Sequence, residues 1–318
     1  MSEETITGLS ADSVEKRLRA QLAQAEAMLA TAPEILRHLL AYGNSTLFSE
    51  EVIAHMRGMV AHIARQLLYA LAQKTSQRDA AGFADERQRT LASALLEDAA
   101  LMSYAHALVL EADLAARMQM RSGIDPVLCP LLQELTASEE ASLSAAAMHA
   151  LAAQARFMQR HKRMELPLNE LPADLFDAAI AKLVGTNGDI AVDVPQLAAE
   201  LRGGFDDAAM RTAQMSSLLK FSEVAVRSLA IEDAGPSLFI TALAAATEQA
   251  RELIMLTLSE NQMARLAITM RAAGLTQADI ERQLLYLYPQ AVPPEQLGAV
   301  TIERASEILA GLRLEAAS

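Results

Sequence analysis

The sequence has no tryptophan, one cysteine, and few glycines, prolines and aromatic residues for its length. Its 318 residues include 13 Gly and 10 Pro, and only 4% are aromatic although 52% are hydrophobic. The core must therefore consist mostly of Ala, Leu, Ile, Val and Met. Ala and Leu favour helices, whereas strands are rich in β-branched and aromatic residues. The composition predicts an all-α protein.

The single cysteine, Cys129, excludes a disulfide within the chain, and it excludes a metal cluster held by several thiolates of one chain. It stands between Leu128 and Pro130 in an apolar segment. Buried thiols in apolar surroundings are usually inert packing residues. We therefore expect Cys129 to be a buried small hydrophobic residue.

Positive charge is also in short supply, since 27 Lys and Arg face 40 Asp and Glu, which gives a net charge of −13. Such a field repels phosphate, so neither nucleic acid nor an anionic membrane is an expected partner. The segment Met270–Pro289 has helix-turn-helix spacing, with Thr276 and Asp279 in a capping-box pattern. Because its second helix is acidic, we predict a packed helical hairpin there.

Long uncharged apolar runs are missing as well. A bilayer-spanning helix needs about 20 predominantly apolar residues. The longest run without a formal charge, Ala141–Ala155, contains two Ser, His149 and Gln154. The N-terminus is acidic and polar, unlike a signal peptide. We expect a cytoplasmic protein.

Helix start and stop signals predict roughly a dozen helices with short connections. Such segments pack as antiparallel helical hairpins, either in a bundle or in an irregular HEAT-like stack. Two segments have similar sequences, RQLLYALAQ at Arg65–Gln73 and RQLLYLYPQ at Arg282–Gln290. This similarity leaves open the alternative that the chain contains degenerate repeats. The length predicts two helical halves, residues 1–165 and 166–318, divided at the segment ELPLNELP.

Several helix boundaries are predicted from local residues. Asp207–Ala230 and Ser237–Leu258 each read as one helix, SQRDAAGFAD (residues 76–85) reads as a loop, and Ile190–Val194 as an extended piece. Thr136 and Glu139 have the spacing of a capping box for the helix that follows them.

The densest positive charge lies in RHKRMELPLNELPADLF, residues 160–176. If the preceding helix continues to Arg163, then Arg156, Arg160 and Arg163 lie on one face, flanked by His161 and Lys162. One interpretation is an ordered linker. Cations suit a helix C-terminus, prolines end the helix, and the leucines pack while two glutamates, Glu165 and Glu170, pair with the arginines. The other interpretation is an anion site for partner carboxylates or a phosphate.

The segment AAQARFMQRHKRMELPLNELPADL resembles part of an uncharacterised all-helical family of alphaproteobacteria, a domain of unknown function. The resemblance covers roughly Leu95–Asp174 and extends faintly to MARLAITMRAAGL, Met263–Leu275. It implies a bacterial helical protein of HEAT-like character, and it brings no catalytic residues with it.

Signatures of enzymes and cofactor sites are lacking: there is no Gly-x-Ser-x-Gly elbow, no Walker loop and no Gly-x-Gly-x-x-Gly. Glu51, His55 and His62 share a helix face and, with Glu34 and His38, form a carboxylate–imidazole metal candidate. The paired Glu-x-x-His pattern of di-iron bundles is absent. We therefore predict no enzyme activity, no cofactor and no metal.

The function that follows is a non-enzymatic interaction protein, an adaptor or regulator in bacterial signalling, that binds a protein partner. The expected binding residues are the cations around the C-terminus of one helix: Arg156, Arg160, His161, Lys162 and Arg163. Two alternatives stay open. One is a helical bundle that holds a small apolar ligand. The other is a phosphorelay component with His161 as phospho-acceptor.

Overall fold

The computed structural model describes residues 50–190, 192–258, 262–290 and 300–316, together with Lys16 and residues 19–23. The protein is 79% helical and the described residues contain no strand, so the all-α prediction is confirmed. The HEAT-like arrangement stays a prediction. The sequence also predicts two helices before Ser49, one ending at about Ala30 and one beginning near Pro33, and these lie almost wholly outside the described residues.

The first seven described helices are α1 (Glu50–Lys74), α2 (Ala80–Leu96), α3 (Ala99–Ser122), α4 (Pro130–Thr136), α5 (Ala141–Lys162), α6 (Ala173–Thr186) and α7 (Val194–Gly203). The next seven are α8 (Arg211–Leu218), α9 (Ser222–Arg227), α10 (Ile231–Thr247), α11 (Arg251–Thr257), α12 (Met263–Ala272), α13 (Gln277–Leu287) and α14 (Ile302–Ala316). Short 3-10 turns occupy Leu168–Glu170 and Asp207–Ala209.

Helix α2 begins inside the segment that the sequence predicts as a loop. The side chain of Asp79 accepts a hydrogen bond from the backbone N–H of Gly82 and caps the first turn. An N-terminal cap satisfies donors that the helix itself leaves unpaired, so the helix starts despite the glycine. The loop prediction is therefore wrong from Ala80 onward. The Thr136–Glu139 capping box is also wrong, because α5 begins after Glu140 without a side-chain cap.

Two long predicted helices are each divided. Asp207–Ala230 is a 3-10 turn followed by α8 and α9. Helix α10 is two helices that meet at a kink, because Gly235, with φ of 65° and ψ of 171°, is not helical. The longer second part begins at Pro236, next to the predicted start at Ser237, and the short part from Ile231 precedes it. Helix α10 ends at Glu248 with φ of 51°, and α11 is a separate helix. In the predicted extended piece, Ile190–Val194, the described residues form no strand, but Asp193 has extended backbone angles, φ of −75° and ψ of 98°, and its side chain caps α7.

The hairpin of α12 and α13 agrees with its prediction. Gly274 ends the first helix with φ of 98°, and Thr276 and Asp279 form the expected capping box. Ile280 and Leu284 of α13 are buried. The second helix therefore packs into the protein. Of the two RQLLY segments, the first lies inside α1 and the second runs past the end of α13.

The buried apolar residues form two clusters that both cross the predicted boundary at residue 165. The first cluster joins α1, α2 and the start of α3 to α6, α7 and the Glu-Leu-Pro segment. The second joins the end of α3, α4 and α5 to helices from α8 onward. Helix α3 thus contributes to both clusters, for example through Leu101 to the first and Leu114 to the second.

Among the described residues, one helix, α3, is long and apolar enough to cross a membrane by length and composition. However, 67% of its apolar window is buried inside the protein. A core helix of a soluble protein passes the same test, so α3 gives no indication of location.

Candidate functional site

The basic segment lies at the C-terminal end of α5. The helix ends where the backbone N–H of Arg163 donates to the carbonyl of Arg160, and the cations of its last turn complement the negative end of the helix dipole. Arg156, Lys162 and Arg163 are exposed, Arg160 is half-buried, and His161 is buried. The five predicted residues therefore form two groups, of which only one faces solvent.

Arg160 belongs to the group that contacts the rest of the protein. Its Nη1 lies 3.4 Å from Oε1 of Glu170, whose other oxygen accepts a hydrogen bond of 3.1 Å from the backbone N–H of Arg211. This confirms the expected pairing of Glu170. Among the described residues, Glu165 forms no ion pair with an arginine. Arg160 thus fastens the end of α5 to the segment that follows it.

The Glu-Leu-Pro segment, Glu165–Pro172, is an ordered linker that packs on α1. Leu166, Leu168 and Leu171 are buried. The amide of Gln66 donates to the carbonyl of Leu166 over 3.0 Å and accepts from the N–H of Leu168 over 3.1 Å. These bonds satisfy backbone groups that would otherwise be buried unpaired. The segment is therefore an ordered linker, as the first of the two interpretations of the sequence expects.

His161 packs against α1. Its ring stacks on that of His55 with centroids 4.5 Å apart and an interplanar angle of 14°. Burial, helped by the nearby His55, lowers the pKa of His161 to about 4. His161 as a whole residue is 8% exposed. A partner protein cannot reach this ring without opening the contact between α1 and α5.

The described members of the metal candidate, Glu51, His55 and His62, do not come together as metal ligands. His62 lies with its Nδ1 2.9 Å from the carbonyl oxygen of Leu166, so it serves the linker. His55 lies with its Nδ1 3.0 Å from the backbone oxygen of Glu51. Within the described ranges, no three His, Cys, Asp or Glu side chains come together as metal ligands. Glu34 and His38 lie outside the described residues.

A charge cluster that the sequence did not predict lies inside the protein. Glu111 of α3 is fully buried and accepts hydrogen bonds from Arg211 over 2.6 and 2.9 Å and from Arg251 over 2.8 Å. Ser237 of α10 also donates to this carboxylate. Burial alone would raise the pKa of Glu111, but the two guanidinium groups together hold it well below its ordinary value.

Phe157 connects this cluster to the basic end of α5. The guanidinium carbon of Arg211 lies 3.9 Å from the ring centroid of Phe157, a distance typical of a cation–π contact. The same ring lies 6.1 Å from that of His161. The exposed cations therefore lie at a helix end that is held in place by the rings of His161 and Phe157 and, through Phe157, by the buried ion cluster.

Sequence reasoning missed the cluster because its members are far apart in the chain. Arg211 and Arg251 are 100 and 140 residues from Glu111. The one local signal is Glu111 itself, which interrupts the run LMSYAHALVL of α3. A carboxylate at such a position needs a buried partner.

Comparisons with protein-family models, with curated proteins and with solved structures give no match to this chain. The resemblance to an alphaproteobacterial helical family stays a prediction.

Proposed function

We propose that the protein is a non-enzymatic helical binding protein, an adaptor, that recognises an acidic segment of a protein partner through the basic end of α5. One observation carries the proposal: Arg156, Lys162 and Arg163 are exposed and form no ion pair with any described residue. The whole chain has a net charge of −13, so this group of cations is opposite in sign to the net charge of the protein.

The helix face that leads to these cations is suited to contact. From Ala141 to Arg163, α5 contains no acidic residue, and its exposed positions are mainly small residues and Met148. Met148 is 52% exposed, and methionine side chains adapt readily to a partner surface. A partner can therefore approach the helix backbone closely while its carboxylates meet the arginines.

The chemistry of the cations favours a carboxylate-bearing partner. Guanidinium groups bind carboxylates in a two-point geometry, which adds specificity to attraction. Exposed charges act mainly on the rate of association, and salt screens them over about 8 Å at physiological ionic strength. Binding should therefore weaken as the salt concentration rises.

The other two functions have less support. The cavity beside the end of α5, between this helix, the linker and Arg211, is about 20 Å³, room for roughly one water molecule, so this part of the protein gives the apolar-ligand alternative no support. His161, the phospho-acceptor of the phosphorelay alternative, is buried against His55.

The test is affinity purification from the native cell with mass spectrometry, comparing wild type with Arg156→Glu/Arg163→Glu. A matched control, Arg89→Glu/Lys220→Glu, makes the same change of charge at two exposed cations outside α5. We expect a partner that the wild type and the control retain and the α5 variant loses. Equal retention by all three proteins, with the α5 variant folded, would contradict the proposal.

A further inference from the structure

A cleft of about 350 Å³ opens on another part of the protein, and none of the exposed α5 cations lines it. Its walls come from α3, α8, α10 and α11, through Tyr104, Thr212, Ser216, Thr241, Ala245 and Arg251. Sites for small molecules are typically concave, with volumes of about 300–1,000 Å³. The size is right for a small organic ligand.

Arg251 gives the cleft a cationic wall. Its Nη1 binds Glu111 over 2.8 Å and its Nε donates to Thr241 over 3.3 Å. Its Nη2, although shielded from solvent, has no hydrogen-bond acceptor among the described residues. Buried donors are rarely left without an acceptor in native proteins. The guanidinium therefore has donor capacity that the protein does not use.

The charge balance beneath the cleft is also incomplete. Glu111 is a single carboxylate shared by two guanidinium groups, and the side chains of Arg211 and Arg251 are only 3% and 13% exposed. Glu170, the next carboxylate, is already paired with Arg160. An excess positive charge in a poorly solvated region attracts an anion more strongly than the same charge in water.

The outer part of the cleft has a different character. Glu252, which follows Arg251, also lines it and is half-buried, and it has no ion pair with a described residue. Pro172 and Ala244 add apolar surface. A ligand that carries only negative charge would meet Glu252 unfavourably, whereas a ligand with a separate cationic group would pair with it.

We propose that this cleft binds a small zwitterion of the amino-acid class, with its carboxylate beside Arg251 and its ammonium group beside Glu252. The apolar surface of Pro172 and Ala244 contacts the ligand's side chain. The proposal is independent of the partner-binding function of α5, since the two use different residues.

The test uses the purified full-length protein and measures its melting temperature and its heat of binding with three sets of probes. These are the proteinogenic amino acids, the corresponding amines without a carboxylate, and the corresponding carboxylic acids without an amine. A ligand that binds only the folded protein raises its melting temperature in a saturable way. We expect such a rise with at least one amino acid and not with its amine or its acid.

Two substitutions locate the site. Ala245→Phe fills the cleft from an exposed helix position and should abolish the shift. Ala246→Phe, the exposed neighbour that does not line the cleft, should retain it. If Ala245→Phe does not fold, Thr212→Val removes one lining hydroxyl instead, and should weaken binding between about twofold and tenfold.

The proposal is overturned if no amino acid raises the melting temperature, or if the amine or acid alone does so equally well. It is also overturned if Ala245→Phe is folded and binds as the wild type does, or, should that variant fail to fold, if Thr212→Val binds with unchanged affinity. None of these outcomes depends on whether α5 captures a partner.

Discussion

A buried carboxylate in the middle of an alanine-rich helix needs counter-charges, and Glu111 obtains them from distant parts of the chain. Arg211 opens α8 and Arg251 opens α11, and Ser237 of α10 donates to the same carboxylate. Four helices therefore meet at one side chain. Such a cluster costs desolvation energy, and losing one partner leaves the others as uncompensated buried charges.

Glu111→Gln should destabilise the fold strongly. The amide keeps the shape of the side chain but removes the negative charge that two buried guanidinium groups require. We expect a loss of about 3–5 kcal/mol in the free energy of unfolding, measured by urea denaturation. Glu97→Gln is the control, because the carboxylate of Glu97 is 70% exposed. This substitution should lower the free energy of unfolding by less than about 1 kcal/mol. A loss below about 1 kcal/mol for Glu111→Gln would contradict the account.

His161 should make the protein sensitive to acid. Its pKa is about 4 in the folded protein and 6.5 as the ordinary value. Between these pH values the unfolded chain binds more protons than the folded protein does. The contribution of His161 to the free energy of unfolding is therefore fully present above pH 6.5 and is lost as the pH falls towards 4. The loss from this group amounts to about 3 kcal/mol. Burial likewise lowers the pKa of His106 to about 4, which adds a loss of the same sign.

The measurement is urea denaturation at a series of pH values, with His161→Phe beside the wild type. Phenylalanine preserves a ring against His55 and cannot take up a proton. We expect its stability to fall less steeply below pH 6.5. Identical pH profiles would show that His161 is not responsible.

Some individual residues could be predicted from the sequence and others could not. Cys129 is buried, as expected, and burial raises its pKa to about 11. Its apolar neighbours carried that information. Arg211 and Arg251 look like surface cations in their local sequence, and only the tertiary fold brings them to Glu111.

At the scale of the elements, the turn that follows α5 approaches α1 very closely at Gly58. A methyl group on Gly58 would lie 2.5 Å from the Cβ of Met164. Met164 itself has φ of 57°, a left-handed conformation that costs energy for a residue with a side chain. The turn that follows α5 therefore fits only because residue 58 has no side chain.

Gly58→Ala should destabilise the protein by about 1–2 kcal/mol, because overpacking outweighs the helix propensity that alanine adds. The control is Gly185→Ala near the end of α6, where an added methyl group meets no atom within 4 Å. That change should stabilise by up to about 1 kcal/mol. Thermal unfolding of both variants gives the comparison.

Adding Met164→Gly to Gly58→Ala should restore much of the lost stability. Glycine removes the side chain that clashes with residue 58, and it adopts a positive φ without strain. If Gly58→Ala is as stable as the wild type, the close approach of Met164 to α1 has no energetic consequence.

Helix boundaries marked by a strong local signal agree with the structure. Pro130 begins α4, Pro195 lies in the first turn of α7, and the capping box at Thr276 begins α13. The kink in α10 has a physical cause that the local sequence does not show. Gly235 takes a left-handed conformation against Cys129, so Pro236 can follow within a kinked helix. A contact from another part of the chain is not visible in the local pattern.

At the scale of the whole molecule, each of the two apolar clusters combines segments that are far apart in the sequence. Residues 166–183 complete the first cluster with α1 and α2, whereas α4 and α5 belong to the second cluster with the C-terminal helices. The sequence predicts the helical class because composition alone determines it. It could not show which helices pack together, because apolar stripes of Ala and Leu fit many partners.

Residues 1–165 should not form a stable unit on their own. The fragment lacks Leu166, Leu168 and Phe176 of the first cluster and most of the second. We expect it to melt without a cooperative transition in circular dichroism, and to regain one when co-expressed with residues 166–318. Cooperative melting of the fragment alone, near the temperature of the full chain, would contradict the shared cores.

The proposed contact between the end of α5 and a protein partner can be located by amine-specific cross-linking of the protein with its captured partner. The chain's lysines, at positions 16, 74, 162, 182 and 220, give reporters spread along the sequence. We expect Lys162 to cross-link to the partner next to an acidic segment, and Arg156→Glu/Arg163→Glu to abolish this product. Cross-links to the partner from Lys182 or Lys220 but not from Lys162 would place the interface elsewhere and contradict the claim.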